Sequence, residues 1–289
     1  MSRPGELHRA RVAIVGLGLM GGSLAGALRG RCREVVGVAR RGETIELALA
    51  RGLIDRGTTE LSEGVGQADV VVLATPVRTI VRQIAEIGPL LPGGCLLMDL
   101  GSAKVPIVAE MARLPEWVEP LGGHPMCGRE VSGVEAAELT LYRGATFILT
   151  PLPRTSDAAL ALGCQLAEAV GSRPLIMDAE RHDRLVAVVS HLPYLMASAL
   201  VGTADAAAAF DPLVWQVAAT GFNGCARLAG SDVVMMLDIL LTNRQAVLRA
   251  VSDFQDKLGE LARLVEAVDE TELRARLSAA RKTYVEKAK

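Results

Sequence analysis

The sequence predicts an α/β protein: a doubly wound, mainly parallel sheet over residues 1–178, followed by an all-helical domain over residues 179–289. Three observations carry this. Short, uniformly apolar runs rich in Val, Ile and Leu alternate with stretches of helical spacing between Arg11 and Asp178, as strands buried on both faces require. A glycine-rich turn joins the first run to the first helix. After Asp178 the strand-like runs stop.

The elements follow in order. RVAIVG (11–16) is a β-branched run ending in glycine, and 19–28 carries Leu, Ala and Gly at helical spacing. A second run at 35–39 precedes a helix at 44–50. ADVVVLAT (68–75) leads to a helix after Pro76, and CLLMDL (95–100) to a helix after Ser102. TFILT (146–150), a helix at 156–170 and RPLIMD (173–178) complete the first domain. Beyond it the chain reads as helix, with breaks expected near 202–211, 220–224 and 230–232. Toward the C-terminus, Leu258, Leu261, Leu264 and Val265 recur at amphipathic spacing.

Composition supports two folded domains. Of 289 residues 50% are hydrophobic and only 3% aromatic, so the core is aliphatic, and the 22% charged fraction excludes a disordered chain. A net charge of −2 supplies no footprint for nucleic acid. Cys32, Cys95, Cys127, Cys164 and Cys225 are odd in number and scattered without a CxxC, which points away from disulfides and a metal site and toward a cytoplasmic protein. Residues 1–10 lack the apolar region of a signal peptide. Residues 185–204 contain no Asp, Glu, Lys or Arg over a membrane-span length. Ser190, His191, Pro193 and Tyr194 lie inside them, and the stretch is read as a buried active-site helix rather than a membrane span.

Gly16-Leu17-Gly18-Leu19-Met20-Gly21 is a GxGxxG turn between the first strand and the first helix. The first glycine permits the turn, the second admits a pyrophosphate to the backbone, and the third lets helix pack on strand. This marks a Rossmann-type dinucleotide site. At the end of the second strand, where an acid usually meets the ribose of NAD, stand Arg40 and Arg41. Guanidinium there favours NADP, whereas Glu43 and Glu46 just beyond keep NAD open. Thr75 and Pro76, closing the next strand, also face the ligand crevice by position.

Further polar residues collect at strand ends: Asp99, Ser102 and Lys104, then GGHPMCGREVSGVE (122–135), HDRLVAVVSHLP (182–193) and GFNGCAR (221–227). With GLGLMGGSLA (16–25) and LYRGATFILTP (141–151), these segments resemble the prephenate and arogenate dehydrogenases of tyrosine biosynthesis. The resemblance runs from residue 11 to about 270. It implies an oxidative decarboxylation of prephenate or arogenate in which a hydride leaves the hydroxyl-bearing C4 of a cyclohexadienol for the nicotinamide as CO2 departs.

By the same resemblance, His124 relieves the 4-hydroxyl of its proton, a task that suits a neutral imidazole near pH 7. Ser102 contacts that hydroxyl, a role compatible with capping the next helix. His191 belongs to the substrate site and Arg227 anchors a substrate carboxylate. Two departures stand out: Asn223 replaces a basic residue, and Arg129 stands where Thr is common. Arg129 either restores the lost charge in the pocket or is an exposed loop arginine. Glu130 matches an acid near the pocket mouth that could meet the amino group of arogenate. Lys104 reads as a solvated helix charge, His182 as a surface residue near the domain junction, and His8 as part of a disordered tail. The resemblance also implies a homodimer formed through the helical domain.

Two other readings compete. The 3-hydroxyacid and 6-phosphogluconate dehydrogenases join similar domains but use a helical lysine, and this chain has none between Asp178 and Lys257. A non-catalytic NADP-binding sensor would not need Ser102, His124, His191 and Arg227 together.

Overall fold

The computed structural model describes residues 5–287. The chain forms two compact units, residues 1–244 and 245–289.

In the first unit, one sheet contains β1 (Arg11–Val15), β2 (Glu34–Val38), β3 (Arg56–Thr58), β4 (Val70–Leu73), β5 (Leu96–Asp99), β6 (Glu119–Pro125), β7 (Thr146–Pro151) and β8 (Arg173–Ile176). Their order is β3-β2-β1-β4-β5-β6-β7-β8, and every pair is parallel except β6 with β7. Helices α1 (Leu19–Leu28), α2 (Gly42–Ala50), α3 (Leu61–Val65), α4 (Val77–Ile87), α5 (Val105–Met111) and α6 (Asp157–Ala169) accompany the strands. Successive strand side chains point to opposite faces. Val12 and Ile14 therefore join the core around Leu24 and Leu28 of α1, and Ala13 and Val15 join the one around Ile80 and Ile84 of α4. Two buried faces explain why the strands read as continuous apolar runs.

The sequence reading missed β3 and β6. Arg56-Gly57-Thr58 is short and partly exposed, and β6 ends in Gly-Gly-His-Pro, which reads as a turn. The sheet overrides that local preference: Gly123 and His124 pair in register with Leu149 and Ile148. His8 belongs to an ordered 3-10 turn, Leu7–Arg9, where Leu7 is buried and its N–H donates to Gln165 Oε1 at 3.0 Å.

The remaining helices of this unit are α7 (Ala179–Val186), a π turn (Ala187–His191), α8 (Leu192–Ala208), α9 (Val214–Val217), α10 (Thr220–Ala226) and α11 (Val233–Thr242). Of the expected breaks, that at 220–224 is helical, covered by α10, while that near 202–211 comes only after Ala208, since α8 runs through Gly202. Residues up to 244 share a compact unit with the sheet because α7 and α11 bond to the N-terminal ends of α5 and α4. The Asp183 carboxylate accepts from the N–H groups of Lys104 and Val105 at 2.7 and 2.9 Å, and Asp238 accepts from the Arg78 N–H at 3.0 Å. The compact division thus falls at 244/245, inside the stretch expected as the helical domain.

The stretch 185–204 is buried on one face only. His191, Leu192 and Ala197 are inside, while Val188 and Val189 are 54% and 65% exposed. Ala179–Ala208 is long and apolar enough to cross a membrane by length and composition. The expectation of a wholly buried helix is therefore corrected: its outer face is apolar and uncovered in the single chain.

From Gln245 on, the second unit consists of α12 (Arg244–Glu266), apart from its first residue, and α13 (Glu270–Lys287), joined at Val268, whose φ is 53°. Along α13, Arg274 pairs with Glu270 and Arg276 with Glu272, each one turn apart.

Candidate active site

The parallel strands β1, β2, β4, β5 and β6 end at one edge of the sheet, and the candidate residues follow those ends. Gly16 follows β1, Arg40 follows β2, Thr75 follows β4, Ser102 follows β5, and His124 is the penultimate residue of β6. Ligand crevices of open α/β sheets form at this edge.

Between β1, β2 and β4 opens a cleft of about 740 Å³, lined by Gly16, Gly18, Arg40, Arg41, Thr75 and Pro76 among others. Gly16 has φ 101°, and a side chain there would press on Ala74. Gly21 lies so close to the turn that a Cβ would sit 1.8 Å from the Gly16 carbonyl oxygen. At Gly18 a Cβ would meet nothing within 4 Å, so this glycine leaves space rather than filling a contact. Leu19 and Met20 form the first turn of α1, whose N–H groups lack intrahelical partners. Leu19, Met20 and Gly21 do not themselves line the cleft. Thr44 and Arg82 line it near the two arginines, and Thr75 Oγ1 donates to Gln83 Oε1 at 2.6 Å. This open, glycine-floored and basic cleft fits a dinucleotide with its phosphates at the α1 N-terminus.

In the second cluster His182, Asp183, His191 and Lys104 are buried and His124 is half-buried. His124 Nδ1 lies 2.8 Å from His182 Nε2, with the rings edge to face, and His182 Nδ1 lies 2.8 Å from Asp183 Oδ1. His182 is fully buried and is not a surface residue, because α7 turns this face onto the ends of β5 and β6. Burial, with the neighbouring His182 and Lys104 adding to it, holds the His124 pKa well below the ordinary imidazole value. His191 is also buried; its Nδ1 lies 3.3 Å from Asn243 Nδ2, and burial lowers its pKa to about 4.

In an uninterrupted α-helix, the nine residues from His182 to His191 would turn about 900° and set the two on opposite faces. The π turn adds roughly one residue to the ladder and removes about 100° of that rotation, bringing both to the inner side.

Lys104 is fully buried and is not a solvated charge. Its Nζ pairs with Asp99 and donates to the Gly123 carbonyl at 2.7 Å, while Asp99 Oδ1 accepts the Gly123 N–H at 3.0 Å. Both backbone groups of the residue before His124 are thereby fixed. Burial pushes the Lys104 pKa down against the opposing pull of Asp99. Ser102 is half-buried in the loop between this pair, and Lys104 rather than Ser102 occupies the N-cap of α5.

Of the expected charged residues, Arg227 and Glu130 come together as an ion pair between the end of α10 and the loop after β6. Arg129 does not join them. It is exposed, its guanidinium is 3.0 Å from Glu138, and the expected pocket position gives way to the exposed loop position. That loop is tied down elsewhere: Glu138 N–H donates to Ser23 Oγ at 2.8 Å, and the Tyr142 hydroxyl donates to the Met20 carbonyl at 2.8 Å.

Residues 24–175 match the family description "prephenate dehydrogenase, nucleotide-binding domain", and residues 178–279 match "prephenate dehydrogenase, dimerization domain". The chain belongs to the prephenate dehydrogenase family. It is 34% identical to the prephenate dehydrogenase of Lactococcus lactis over 87% of this chain and 70% of that protein. It is 32% identical to the cyclohexadienyl dehydrogenase of Zymomonas mobilis over 89% of each. Among solved structures, the prephenate dehydrogenase from A. aeolicus in complex with hydroxyphenyl propionate and NAD+ is 34% identical and superposes with a TM-score of 0.88, covering 96% of this chain and 97% of that one. The arogenate dehydrogenase of Synechocystis is 29% identical with a TM-score of 0.83, covering 96% and 99%. A 3-hydroxyisobutyrate dehydrogenase from Salmonella typhimurium, at 18% identity and a TM-score of 0.58, shares the fold alone.

In this chain, sequence reasoning passed over His182, Asp183, Lys104 and Asn243. Two signals were present. His182-Asp183 opens the HDRLVAVVSHLP segment, and Asp99 and Lys104 flank the Ser102 loop at a strand end. For Asn243 there was no local signal.

Proposed function

We propose that the chain oxidatively decarboxylates prephenate or arogenate, with NADP favoured over NAD, as a cytoplasmic homodimer. The observation that carries this reading is the His124 arrangement: an imidazole kept neutral by burial, at the end of β6, with Asp99 and Lys104 locking the preceding residue and His182 bonded to its ring. When bound in the cleft, the nicotinamide supplies the hydride acceptor. His124 accepts the proton of the substrate's 4-hydroxyl as that carbon becomes ketone-like, and Ser102 orients the same hydroxyl. His191 and Arg227 hold the substrate's anionic groups, with Glu130 setting the Arg227 guanidinium and offering a carboxylate to an amino group. With Arg129 on Glu138, the role of second pocket charge passes away from it.

The preference for NADP rests on Arg40 and Arg41 lining the cleft at the end of β2, without a carboxylate in that turn. The A. aeolicus relative was solved with NAD+, so cofactor choice is a point on which this chain is read as different. The division at 178/179 separates the cofactor half from the half that carries His191 and Arg227. Dimerisation through the latter would cover Val188 and Val189, and Val233, Val234 and Leu237 of α11, which are 53–75% exposed. A monomeric mass in solution at micromolar protein contradicts the dimer.

The enzymatic reading is tested by incubating the purified protein with either substrate and either cofactor and following the reduced nicotinamide. Reduction with prephenate or arogenate is expected. Reduction only with 3-hydroxyacids moves the chain to the competing dehydrogenase class, and cofactor binding without any reduction makes it a sensor.

A further inference from the structure

Three histidines of the site converge on one residue, Asp183, by two routes. Its carboxylate can only accept hydrogen bonds. Oδ1 lies 2.8 Å from His182 Nδ1, so that nitrogen carries a proton. In a neutral His182, Nε2 is then bare, and the 2.8 Å contact to His124 requires the proton on His124 Nδ1. His124 Nε2 is left as a free acceptor.

The second route starts from the Asp183 backbone carbonyl, also an acceptor only. Asn243 Nδ2 lies 2.8 Å from it, which fixes the amide orientation with nitrogen on this side. Its other hydrogen meets His191 Nδ1 at 3.3 Å, so Nδ1 of His191 is bare and its proton sits on Nε2. His191 Nε2 is buried without a partner among the described residues. A buried N–H left without an acceptor is costly and uncommon, and a ligand oxygen is the natural way to meet it. The lowered pKa of His191, at about 4, is consistent with a neutral ring that still donates.

We propose that Asp183 and Asn243 are positioning residues that hold His124 and His191 in opposite tautomers, giving the site one imidazole acceptor, His124 Nε2, and one imidazole donor, His191 Nε2–H. The donor takes a carboxylate or carbonyl oxygen of the substrate while the acceptor takes its hydroxyl. This rests on the dehydrogenase reading above for the identity of the ligand. The proton positions do not depend on it.

The test is a long-range proton–nitrogen correlation spectrum of the full-length protein labelled with nitrogen-15 at its four histidines, His8, His124, His182 and His191. His124→Asn and His191→Asn variants assign the signals. At neutral pH the expected result is Nδ1–H for His124 and His182 and Nε2–H for His191. An Nε2–H signal for His124, as an imidazolium at His182 would produce, or Nδ1–H for His191, overturns the proposal.

Asn243→Asp places an acceptor against His191 Nδ1, so its proton is expected to move to Nδ1, with KM for the substrate raised about tenfold or more and KM for the cofactor unchanged. His191 still protonated at Nε2 with an unchanged KM overturns the proposal as well. Should Asn243→Asp fail to fold, the wild-type spectrum alone decides. The expected spectrum from a protein that oxidises neither substrate supports the tautomers while contradicting the functional reading.

Discussion

The cofactor cleft is floored by sequence neighbours, Gly16, Leu17 and Gly18, with Arg40 and Thr75 at the next strand ends, and it is open. The histidine cluster is mostly buried and assembled from afar: His124 reaches His182 across 58 positions, and Lys104 reaches Asp183 across 79. One region uses backbone shape and leaves side chains to solvent and ligand. The other uses buried side chains whose charges and protons are fixed by one another. A site of the first kind tolerates change in its lining and not in its glycines, whereas in the second each polar group depends on its partner.

This contrast can be broken most sharply at His124. Replacement by Asn should lower kcat by about 100-fold or more while the KM for cofactor holds, because the cleft is built separately. Near-normal turnover would reassign the proton acceptor.

On stability the largest effect is expected for Lys104→Met, which leaves Asp99 buried without its cation and should destabilise the protein by about 3–5 kcal/mol in urea titration. A loss under about 1 kcal/mol would mean that the backbone donors to Asp99 suffice.

The pH dependence of stability gives a smaller effect. Between the unfolded value of 6.5 and the folded value of about 4, the unfolded chain binds the His191 proton and the folded chain does not. Stability therefore falls as pH drops through this window, by about 2 kcal/mol at a pH of about 5 from His191 alone, and is unaffected by it well above 6.5, from a pH of about 7.5. His124, shifted in the same direction, adds to the loss. His191→Gln should lose correspondingly less between pH about 7 and about 5; parallel curves for variant and wild type would contradict the burial argument.

The cleft is expected to give an effect of similar size, confined to the cofactor. Replacing Arg40 and Arg41 by Ser should weaken NADP about 10- to 100-fold and leave NAD nearly unchanged, measured as kcat/KM for each cofactor. Equal losses for both would assign the arginines to the shared phosphates.

The same contrast explains what could be read from the residues alone. The GxGxxG turn and the alternating runs are local signals, each set by neighbouring residues, and both appear in the fold as expected. His124 and His191 were visible only because their segments resemble a family. Lys104 and His182 look like surface residues in any local window: their partners Asp99 and Asp183 stand nearby in sequence, but the packing that buries both pairs comes from residues about 80 positions apart, as in the Asp183 carboxylate on the Lys104 N–H. β6 was missed for a related reason: Gly122, Gly123 and Pro125 are poor strand formers held in register by β5 and β7. The apolar stretch 185–204 was read as core because composition cannot distinguish a face buried in one chain from a face that a partner would cover.

The most direct test of the account is the stoichiometry of turnover. With prephenate or arogenate as substrate, the wild-type protein should release one CO2 for each nicotinamide reduced, and His124→Asn should lose both signals together. Reduced cofactor without CO2, or neither product from either substrate, would contradict an oxidative decarboxylation centred on His124.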